Sequence, residues 1–517
     1  MITPNSHTPE ELTQQAKLLL VEYLDKIDSL KPRDRTKIPA QEMPTQDAET
    51  RSHNLEEVSM GYTMEQARLE AMRCLQCVKK NCMEGCPVKI DIPAFINHIA
   101  YGNFEEAADI IKQSTLLPAV CGRVCPQESQ CQMHCTVGKA LKDVDKSVAI
   151  GRLERFIADW ERNSGKMSVP KVKPPTGKRV AVVGSGPAGL VVAADCRRQG
   201  HQVTIFEAFH KLGGVLRYGI PEFRLPNSII DKEIETLSQM GVEIRPNFVV
   251  GRTRKLTDLI DKDHYDAIFV GTGAGLPIFM GIDGENLVGV FSANEYLTRI
   301  NLMKGFDTVK ADTPVYASRK VAVLGGGNVA MDAARMAKRL GAEEVSIVYR
   351  RTEDEMPARK EERVHAREEG IEFRLLQNAK RIIGDDHGCV TGIECLKYEL
   401  GEPDVSGRRS PVLIPGSEFI FEVDTVIVAI GNGSNPLIGQ TTPQLKINNR
   451  GNILVDKSQK TSMDRIFAGG DIVLGAATVI LAMGEGRRSA VSINNMLASE
   501  IADEKMMKEL CEGLPQM

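Results

Sequence analysis

The pattern of apolar and polar positions changes abruptly near residue 178. Beyond it, short β-branched runs such as VAVVG, VTIFE, KVAVLGGG and DTVIVAIG alternate with Ala-rich stretches of helical periodicity. Short apolar strands that alternate with helices are typical of βαβ units, which build parallel sheets. Ahead of the change, residues 61–165 carry short helical patterns, including TMEQARLEAMRCLQC and IGRLERFIADWERN. The pattern predicts a helical domain followed by an α/β region.

The first 60 residues are polar apart from one helical repeat. Its apolar positions recur every three or four residues and are Leu12, Ala16, Leu19, Tyr23, Ile27 and Leu30. Two interpretations stay open: a helix packed on its own chain, or a helix that docks a partner subunit. The Pro- and Gly-containing SVPKVKPPTGK, which ends the helical domain, indicates a linker.

Composition narrows the class of protein. The 517 residues are 42% hydrophobic and 26% charged, with a net charge of −4, as in an ordinary multidomain globular protein. The balanced charge and the 5% aromatic content argue against nucleic acid as a partner. No apolar run is long enough to span a membrane, and the N-terminus lacks the pattern of a secretory signal. We expect a soluble, cytoplasmic protein.

A Gly-rich turn follows the first strand of the α/β region and opens a helix. Its glycines would let backbone N–H groups approach a pyrophosphate at the helix N-terminus, where the helix dipole favours anions. The next strand, VTIFE, ends in Glu207, whose carboxylate can accept hydrogen bonds from ribose hydroxyls. The turn thus predicts a dinucleotide site, and its candidate residues are Gly184, Gly186, Pro187, Ala188, Gly189 and Glu207.

A second turn of this kind differs at the end of its second strand. Its candidate residues are Gly325, Gly327, Asn328 and Ala330. Alignment of the two second strands puts Tyr349 opposite Glu207, with Arg350 and Arg351 following. A carboxylate would repel a ribose 2′-phosphate, whereas arginine can bind it through paired charge-assisted hydrogen bonds. The alternative is a solvated basic strand end, and the preferred prediction is NADP(H).

Later segments support FAD as the ligand of the first unit. Near the C-terminus a strand delivers Gly470 and Asp471 just before a long apolar helix, where the Asp can bind a flavin ribityl hydroxyl. Gly271–Gly275 and Gly431–Gly433 indicate the returns between two nested units. The predicted division is an N-terminal extension (1–60), a helical domain (61–165), a linker (166–177), an FAD unit (178–312 and 424–500), an NADP unit (313–423) and a C-terminal tail (501–517).

Eight of the twelve cysteines fall between Cys74 and Cys135. They form two strings, Cys74-x2-Cys77-x4-Cys82-x3-Cys86-Pro and Cys121-x3-Cys125-Pro-x4-Cys131-x3-Cys135. A disulfide framework would suit a small secreted domain. Zinc stays open as an alternative, although it favours paired CxxC knuckles and only one CxxC occurs here. Two strings of four, each with one cysteine before a proline, predict two 4Fe–4S clusters, and by composition Cys121 is the eighth ligand.

Several motifs together carry a family resemblance. GSGPAG, GGVLRYGIPEFRLP, GGGNVAMDAAR, VYRRTEDEMPAR and GGDIVLGAATVILAMGEGR resemble the glutamate synthase small-chain family over roughly residues 38–497. Within it, KIPAQEMP and GYTMEQARLEAMRCLQC are most similar to the large subunit of NADH-dependent reduced ferredoxin:NADP oxidoreductase. The resemblance implies two nested Rossmann-like units for FAD and NADP behind a helical iron–sulfur domain. It also implies that Gly214 and Thr478 belong to the FAD site.

The resemblance implies a crossed set of cluster ligands. Cys74, Cys77, Cys82 and Cys135 would hold the first cluster, and Cys86, Cys125, Cys131 and Glu154 the second. Relatives carry Gln or Glu in the helix that matches IGRLERF, which favours Glu154 over Cys121 as the last ligand. We expect Cys121 to be a buried small residue.

These sites predict an oxidoreductase subunit that passes electrons between NADP(H), FAD and two clusters to a partner subunit bound near the cluster domain. No catalytic side chain is expected, because the hydride step needs only the two cofactors. Disulfide reduction would need a CxxC beside the flavin, and residues 180–500 offer only Cys196, Cys389 and Cys395. The branch resemblance extends the prediction to an electron-bifurcating complex of NAD, NADP and ferredoxin. Two alternatives stay open: the NADPH-oxidising small chain of glutamate synthase, and a non-catalytic relay or assembly subunit.

Overall fold

The protein is described from a computed structural model that covers residues 7–307, 309, 311–405 and 407–512, with side chains up to residue 505. Cys511 therefore lies outside the described side chains. The helices are α1 Pro9–Leu24, α2 Pro32–Arg35, α3 Ala48–Arg51, α4 Met64–Met72, α5 Asn81–Glu84, α6 Ile92–Tyr101, α7 Phe104–Ser114, α8 Pro118–Val124, α9 Thr136–Leu141, α10 Ile150–Ser164, α11 Pro187–Arg198, α12 Val215–Tyr218, α13 Asn227–Gln239, α14 Leu256–Asp261, α15 Ala293–Leu297, α16 Asn328–Arg339, α17 Lys360–Glu368, α18 Leu437–Thr441, α19 Asp471–Leu474 and α20 Val479–Glu512. The strands are β1 Arg179–Val183, β2 Gln202–Phe206, β3 Glu243–Arg245, β4 Ala267–Val270, β5 Leu276–Pro277, β6 Val290–Ser292, β7 Lys320–Leu324, β8 Glu344–Tyr349, β9 Glu372–Leu375, β10 Gln377–Gly384, β11 Val390–Pro403, β12 Arg409–Leu413, β13 Phe419–Glu422, β14 Thr425–Val428, β15 Asn432–Gly433 and β16 Ile466–Ala468.

The helical domain packs α4, α6, α7, α8 and α10 around one apolar core. Leu69, Phe95, Ile99, Val120 and Leu153 are all fully buried there. The α4 helix begins at a capping box: the Gln66 backbone N–H donates to Thr63 Oγ1, and the Thr63 backbone N–H donates to Gln66 Oε1. No helix in the described part of the chain is both long and apolar enough to cross a membrane.

Two parallel sheets form the α/β region. The first has the order β16-β4-β1-β2-β3, and the second has the order β6-β14-β7-β8-β9. The antiparallel strands β10 to β13 extend the second unit, while the short pair β5 and β15 lies at the predicted returns between the two units. All four apolar runs quoted from the sequence contain strands of these parallel sheets, namely β1, β2, β7 and β14.

The second sheet is wider than the predicted division allows. Both β6 and β14 pair in parallel within it, yet the division at 312/313 and 423/424 assigns their residues to the FAD unit. Runs of only three and four residues, such as β6 and β14, carry no local sign of which sheet they join. The chain therefore enters the NADP unit before Val290 and leaves it after Val428.

Helices lie near both ends of the described chain, α1 at the N-terminal end and α20 at the C-terminal end. At the N-terminus, α1 packs on α4 through the buried Leu12 and Ala16, which supports the interpretation that this helix packs on its own chain. At the C-terminus, α20 continues to Glu512 through residues predicted as a tail. Its last turns are rich in Ala, Glu, Lys, Met and Leu, which are strong helix formers.

Candidate dinucleotide and cluster sites

The first Gly-rich turn joins β1 to α11 and admits only glycine at two positions. Gly184 has φ 100°, and a Cβ atom there would lie 2.5 Å from the Gly271 carbonyl oxygen. A Cβ at Gly189 would lie 2.0 Å from the Gly184 carbonyl oxygen, so the helix packs directly against the turn. Gly186 caps α11 and faces open space, which leaves its backbone accessible to a pyrophosphate.

Glu207 is held rigidly at the end of β2. Its Oε2 accepts a hydrogen bond from the Ser185 backbone N–H at 2.9 Å, and Ser185 Oγ also donates to it. Its Oε1 accepts from the Phe209 N–H at 2.8 Å. The carboxylate therefore joins the Gly-rich turn to the second strand, where a ribose would bind. The sequence did not indicate Ser185, although it lies inside the motif.

A cavity of about 400 Å³ extends from this turn and brings the predicted FAD residues together. Its lining includes Gly184, Gly186, Pro187, Ala188, Glu207, Gly214, Gly470, Asp471 and Thr478. Asp471 Oδ1 is buried and has no hydrogen-bond partner among the described residues. Burial raises the pKa of Asp471 to about 6. An unsatisfied acceptor beside an open glycine turn fits a ligand with hydroxyl and pyrophosphate groups, as FAD has.

The second Gly-rich turn joins β7 to α16, whose first residues line the same cavity. Gly325 has φ 144°, and a Cβ there would lie 2.3 Å from the Ala429 carbonyl oxygen. Gly327 caps α16, Asn328 lines the cavity with its neighbour Val329, and Ala330 is fully buried. The first turn and the N-terminus of α16 therefore face one space, as two dinucleotides that exchange electrons require.

The strand registers support the alignment that separates the two units. The Gly184 N–H donates to the Phe206 carbonyl, and the Gly325 N–H donates to the Val348 carbonyl. Glu207 and Tyr349 therefore occupy equivalent positions at the ends of β2 and β8. The Tyr349 ring lies against Gly326, where a Cβ would come within 2.7 Å of it.

Arg350 and Arg351 differ in their surroundings. Arg350 is exposed and forms no ion pair within the described residues. The Arg351 side chain is 7% exposed, and it donates to the Arg409 carbonyl and to Asp404 Oδ2, both at 2.7 Å. Of these two arginines, Arg350 is therefore the one without an ion-pair partner among the described residues, while Arg351 is held by Asp404 and the Arg409 carbonyl.

A buried ion pair that the sequence did not indicate joins the two units. Arg224 Nη1 lies 2.7 Å from Asp332 Oδ2, and its Nε lies 3.0 Å from Glu362 Oε1. Arg224 and Asp332 both line the shared cavity, and so does Tyr218. Tyr218, Arg224 and Asp332 all lie within the quoted motifs. Arg224 and Asp332 are 108 residues apart in the sequence, so no local pattern relates them.

The predicted ligands of the first cluster lie together near the surface. Burial, together with the neighbouring thiols of Cys135, Cys82 and Cys77, raises the pKa of Cys74 to about 12. Burial also raises the pKa of Cys82 to about 11, again with Cys135 and Cys77 beside it. All four cysteines are partly exposed. We call them the surface group.

The predicted ligands of the second cluster form a separate, buried group. Burial raises the pKa of Cys86 to about 11, with Glu154 and Cys125 contributing. The pKa of Cys131 is raised by burial and by its neighbours Cys86, Cys125 and Glu154. Each of these side chains is at most 9% exposed. We call Cys86, Cys125, Cys131 and Glu154 the buried group.

Both candidates for the last ligand lie at the buried group. Glu154 Oε1 is buried without a hydrogen-bond partner among the described residues, and burial raises the pKa of Glu154 to about 8. The Cys121 thiol is instead engaged, with Cys125 on one side and Met483 Sδ at 3.5 Å on the other. The unsatisfied carboxylate fits an iron ligand better than the engaged thiol does.

The buried group adjoins the dinucleotide cavity. Val124 and Pro126, the two neighbours of Cys125, line that cavity. Pro87, next to Cys86, packs on Gly484 of α20, where a Cβ would come within 3.0 Å of it. The helix that follows Thr478 thus contacts the cluster domain directly.

Comparisons with known proteins agree with this arrangement. Residues 51–166 match the family described as dihydropyrimidine dehydrogenase domain II, 4Fe–4S cluster, and residues 178–486 match the pyridine nucleotide-disulphide oxidoreductase family. The solved structure of FprA from Mycobacterium tuberculosis in complex with NADPH is similar in fold, with a TM-score of 0.53 and 20% identity over 64% of this chain and 86% of that one.

Two curated relatives are similar over most of the chain. The glutamate synthase [NADPH] small chain of Halomonas elongata is 36% identical over 87% of this chain and 95% of its own length. The NADP(+)-dependent formate dehydrogenase subunit beta of Moorella thermoacetica is 39% identical over 83% of this chain and 61% of its own length. The family matches confirm the predicted fold class and the predicted cofactors, 4Fe–4S, FAD and NADP. The chain belongs to the glutamate synthase small-chain family of iron–sulfur flavoprotein oxidoreductases.

Proposed function

We propose that the chain passes electrons from NADPH, through FAD and two 4Fe–4S clusters, to a partner subunit. The buried group would hold the cluster nearer the flavin, and the surface group would hold the outer one. One observation carries this order: Val124 and Pro126, which flank Cys125, form part of the wall of the cavity that the first dinucleotide turn and the N-terminus of α16 share.

The side chains of this site bind and orient, and no proton shuttle is needed. FAD, when bound, accepts two electrons with a hydride and can release them one at a time. Glu207 and Asp471 supply acceptors for sugar and ribityl hydroxyls, while the N-termini of α11 and α16 supply N–H donors for the two pyrophosphates. The Arg224–Asp332 pair joins the segment after α12 to α16 at the cavity.

The partner binds over the surface group in this proposal. The surface group is the more exposed of the two, and Val78, next to Cys77, is fully exposed. The relatives named above are themselves a small chain and a beta subunit, which supports a multisubunit assembly. Service in glutamate synthase is the second candidate, because the chain spans nearly all of that relative. Bifurcation among NAD, NADP and ferredoxin stays a prediction.

The order of the two groups can be tested with matched ligand variants. Cys125→Ser should remove the inner cluster, and Cys74→Ser the outer one. NADPH added without oxygen should bleach the flavin in both variants, because neither substitution touches the dinucleotide turns. Electron paramagnetic resonance should then show slow or absent reduction of the outer cluster in Cys125→Ser, and normal reduction of the inner cluster in Cys74→Ser.

A buried cysteine outside both groups provides the control. Cys395 lies in β11, and Cys395→Ser should leave both cluster signals unchanged. Reduction of the outer cluster at the wild-type rate in Cys125→Ser would refute the proposed order. The isolated wild-type chain should reduce artificial dyes with NADPH and make no glutamate. Failure of NADPH to bleach the flavin would instead favour a non-catalytic relay subunit.

A further inference from the structure

A hydrogen-bonded bridge connects the N-terminus of α16 to the loop that carries Cys125. Its centre is Arg359, the residue before α17, which is 8% exposed. The Arg359 backbone N–H donates to Asn328 Oδ1 at 2.9 Å. Its guanidinium donates to the Arg123 carbonyl at 3.0 Å and to Gln127 Oε1 at 2.9 Å. One residue thus contacts both the NADP turn and the cluster loop.

At the cluster end, the Gln127 side chain contacts α8 and α10, the two helices beside the buried group. Its side-chain amide donates to the carbonyls of Cys121 and Gly122 in α8, at 3.3 and 3.4 Å. The same side chain is wedged against α10, where a Cβ at Gly151 would lie 2.1 Å from its Nε2. The α10 helix also carries Glu154. A displacement of Gln127 would therefore move Cys125, the residue after α8, and Glu154 of α10, because the interior is close-packed.

At the nucleotide end, Asn328 is the first residue of α16 and lines the shared cavity. Its carboxamide oxygen is committed to the Arg359 N–H, since that partner is a donor. The carboxamide NH2 is the group left to donate to a phosphate or sugar oxygen. A bound nucleotide would thus fix the side chain that orients Arg359.

The bridge carries a charge across the boundary between the cluster domain and the NADP unit. Arg359 carries a guanidinium, and carboxylates of Glu128 and Glu361 lie 3.5 and 3.2 Å from it. A buried cation with carbonyl and amide partners has few alternative positions, because each lost contact leaves a desolvated charge. Movement at one end is therefore transmitted to the other.

We propose that Arg359 is a positioning residue that couples occupancy of the NADP(H) turn to the reduction potential of the cluster in the buried group. This inference rests on the proposed function. Nucleotide binding would fix the position of the Asn328 side chain and thereby that of Arg359. Through Gln127, Arg359 would then fix the positions of the carbonyls and N–H groups around the cluster ligands. Coupling between two binding equilibria is reciprocal, so reduction of the cluster would change nucleotide affinity by the same factor.

The test uses 2′-phospho-ADP-ribose, which keeps the pyrophosphate and 2′-phosphate of NADP but cannot accept a hydride. The midpoint potential of the inner cluster would be followed by electron paramagnetic resonance during redox titration of the full chain, with and without the probe. Allosteric couplings typically start at about fivefold, which equals about 40 mV for one electron. We expect a shift of at least this size in the wild type and none in Arg359→Gln.

A neighbouring contact supplies the control. Lys360 pairs with Asp145 of the cluster domain across the same boundary, but both side chains are nearly half exposed and touch neither Asn328 nor Gln127. Lys360→Ala should keep the full shift. Gln127→Leu, which cuts the bridge at its other end, should lose the shift even if Arg359→Gln does not fold.

Three results would overturn the inference. They are an unshifted potential in the wild type with the probe bound, a full shift in Arg359→Gln or Gln127→Leu, and an equal loss in Lys360→Ala. Iron content and flavin bleaching by NADPH, measured on the same preparations, report on the proposed function separately. A protein that passes both checks but shows no shift has the cofactors without the coupling.

Discussion

Removal of the Arg350 side chain should selectively weaken the binding of NADPH. Arg350 follows β8 at the position after Tyr349, is exposed, and has no ion pair within the described residues. Its neighbour Arg351 is already committed to Asp404 and the Arg409 carbonyl. We therefore expect Arg350→Ala to remove a contact to the 2′-phosphate while the fold of the strand end persists.

The size of the loss follows from the exposure of this side chain. A hydrogen bond to a charged group contributes about 1.5–3 kcal/mol, which is about ten- to a hundredfold in affinity. Solvent screens an exposed pair, so the lower part of this range applies to Arg350. The loss should shrink further as salt is added, because the Debye length falls to about 8 Å at physiological ionic strength. Binding of NADH, which lacks the phosphate, should be almost unchanged.

Anaerobic stopped-flow reduction of the flavin measures both nucleotides on the same protein. The concentration dependence of the rate gives an apparent dissociation constant for NADPH and for NADH in wild type, Arg350→Ala and Arg350→Lys. The Lys variant should fall between the other two, because it keeps the charge but loses the planar fork. Arg351→Ala should lower the thermal stability of the protein and affect both nucleotides alike. Equal losses for NADPH and NADH in Arg350→Ala would refute a role in 2′-phosphate recognition.

Three further predictions address the other sites. Cys121→Ala should leave iron content unchanged and Glu154→Ala should alter the electron paramagnetic resonance of one cluster, whereas the reverse pattern would make Cys121 the ligand. Gly186→Ala should lower FAD affinity without unfolding the apoprotein, because the new Cβ would contact no protein atom. As a control, Gly177→Ala changes a left-handed position outside the cavity, so it should lower stability but keep FAD affinity. Burial raises the pKa of Asp471 from 3.8 to about 6, so the buried charge lowers stability once the pH exceeds 3.8. In calorimetry, the Asp471→Asn apoprotein should therefore unfold at a higher temperature than wild type at pH 8, and the difference should vanish towards pH 4.

Local patterns predicted the parts of the site that local geometry determines. The two Gly-rich turns, their flanking strands and Glu207 follow from short segments, because a βαβ unit is specified by adjacent residues. The contrast between Glu207 and Tyr349 could also be read by alignment, and the strand registers agree with it. The grouping of the cysteines came from the family resemblance, since spacing alone permits several pairings.

Contacts between distant segments were beyond the reach of the sequence. The Arg224–Asp332 pair spans 108 residues and the Arg359–Gln127 bond spans 232. Nothing near either residue signals the partner, because a single Arg or Gln is compatible with a solvated surface. The short strands β6 and β14 were assigned to the wrong unit for the same reason: sheet membership depends on pairing across the fold.

The N-terminal extension has a consequence for how the chain is made. Arg51 is 2% exposed, and its guanidinium pairs with Glu368 and Glu369 of the NADP unit, more than 300 residues later. At a synthesis rate of about 5–20 residues per second, roughly 16–64 s separate the emergence of the two partners from the ribosome. During that interval the cluster domain can fold and load iron, yet its edge lacks its ionic partners. The ion pairs of Arg51 are therefore late contacts of biogenesis, because they cannot form before Glu368 and Glu369 have been synthesised.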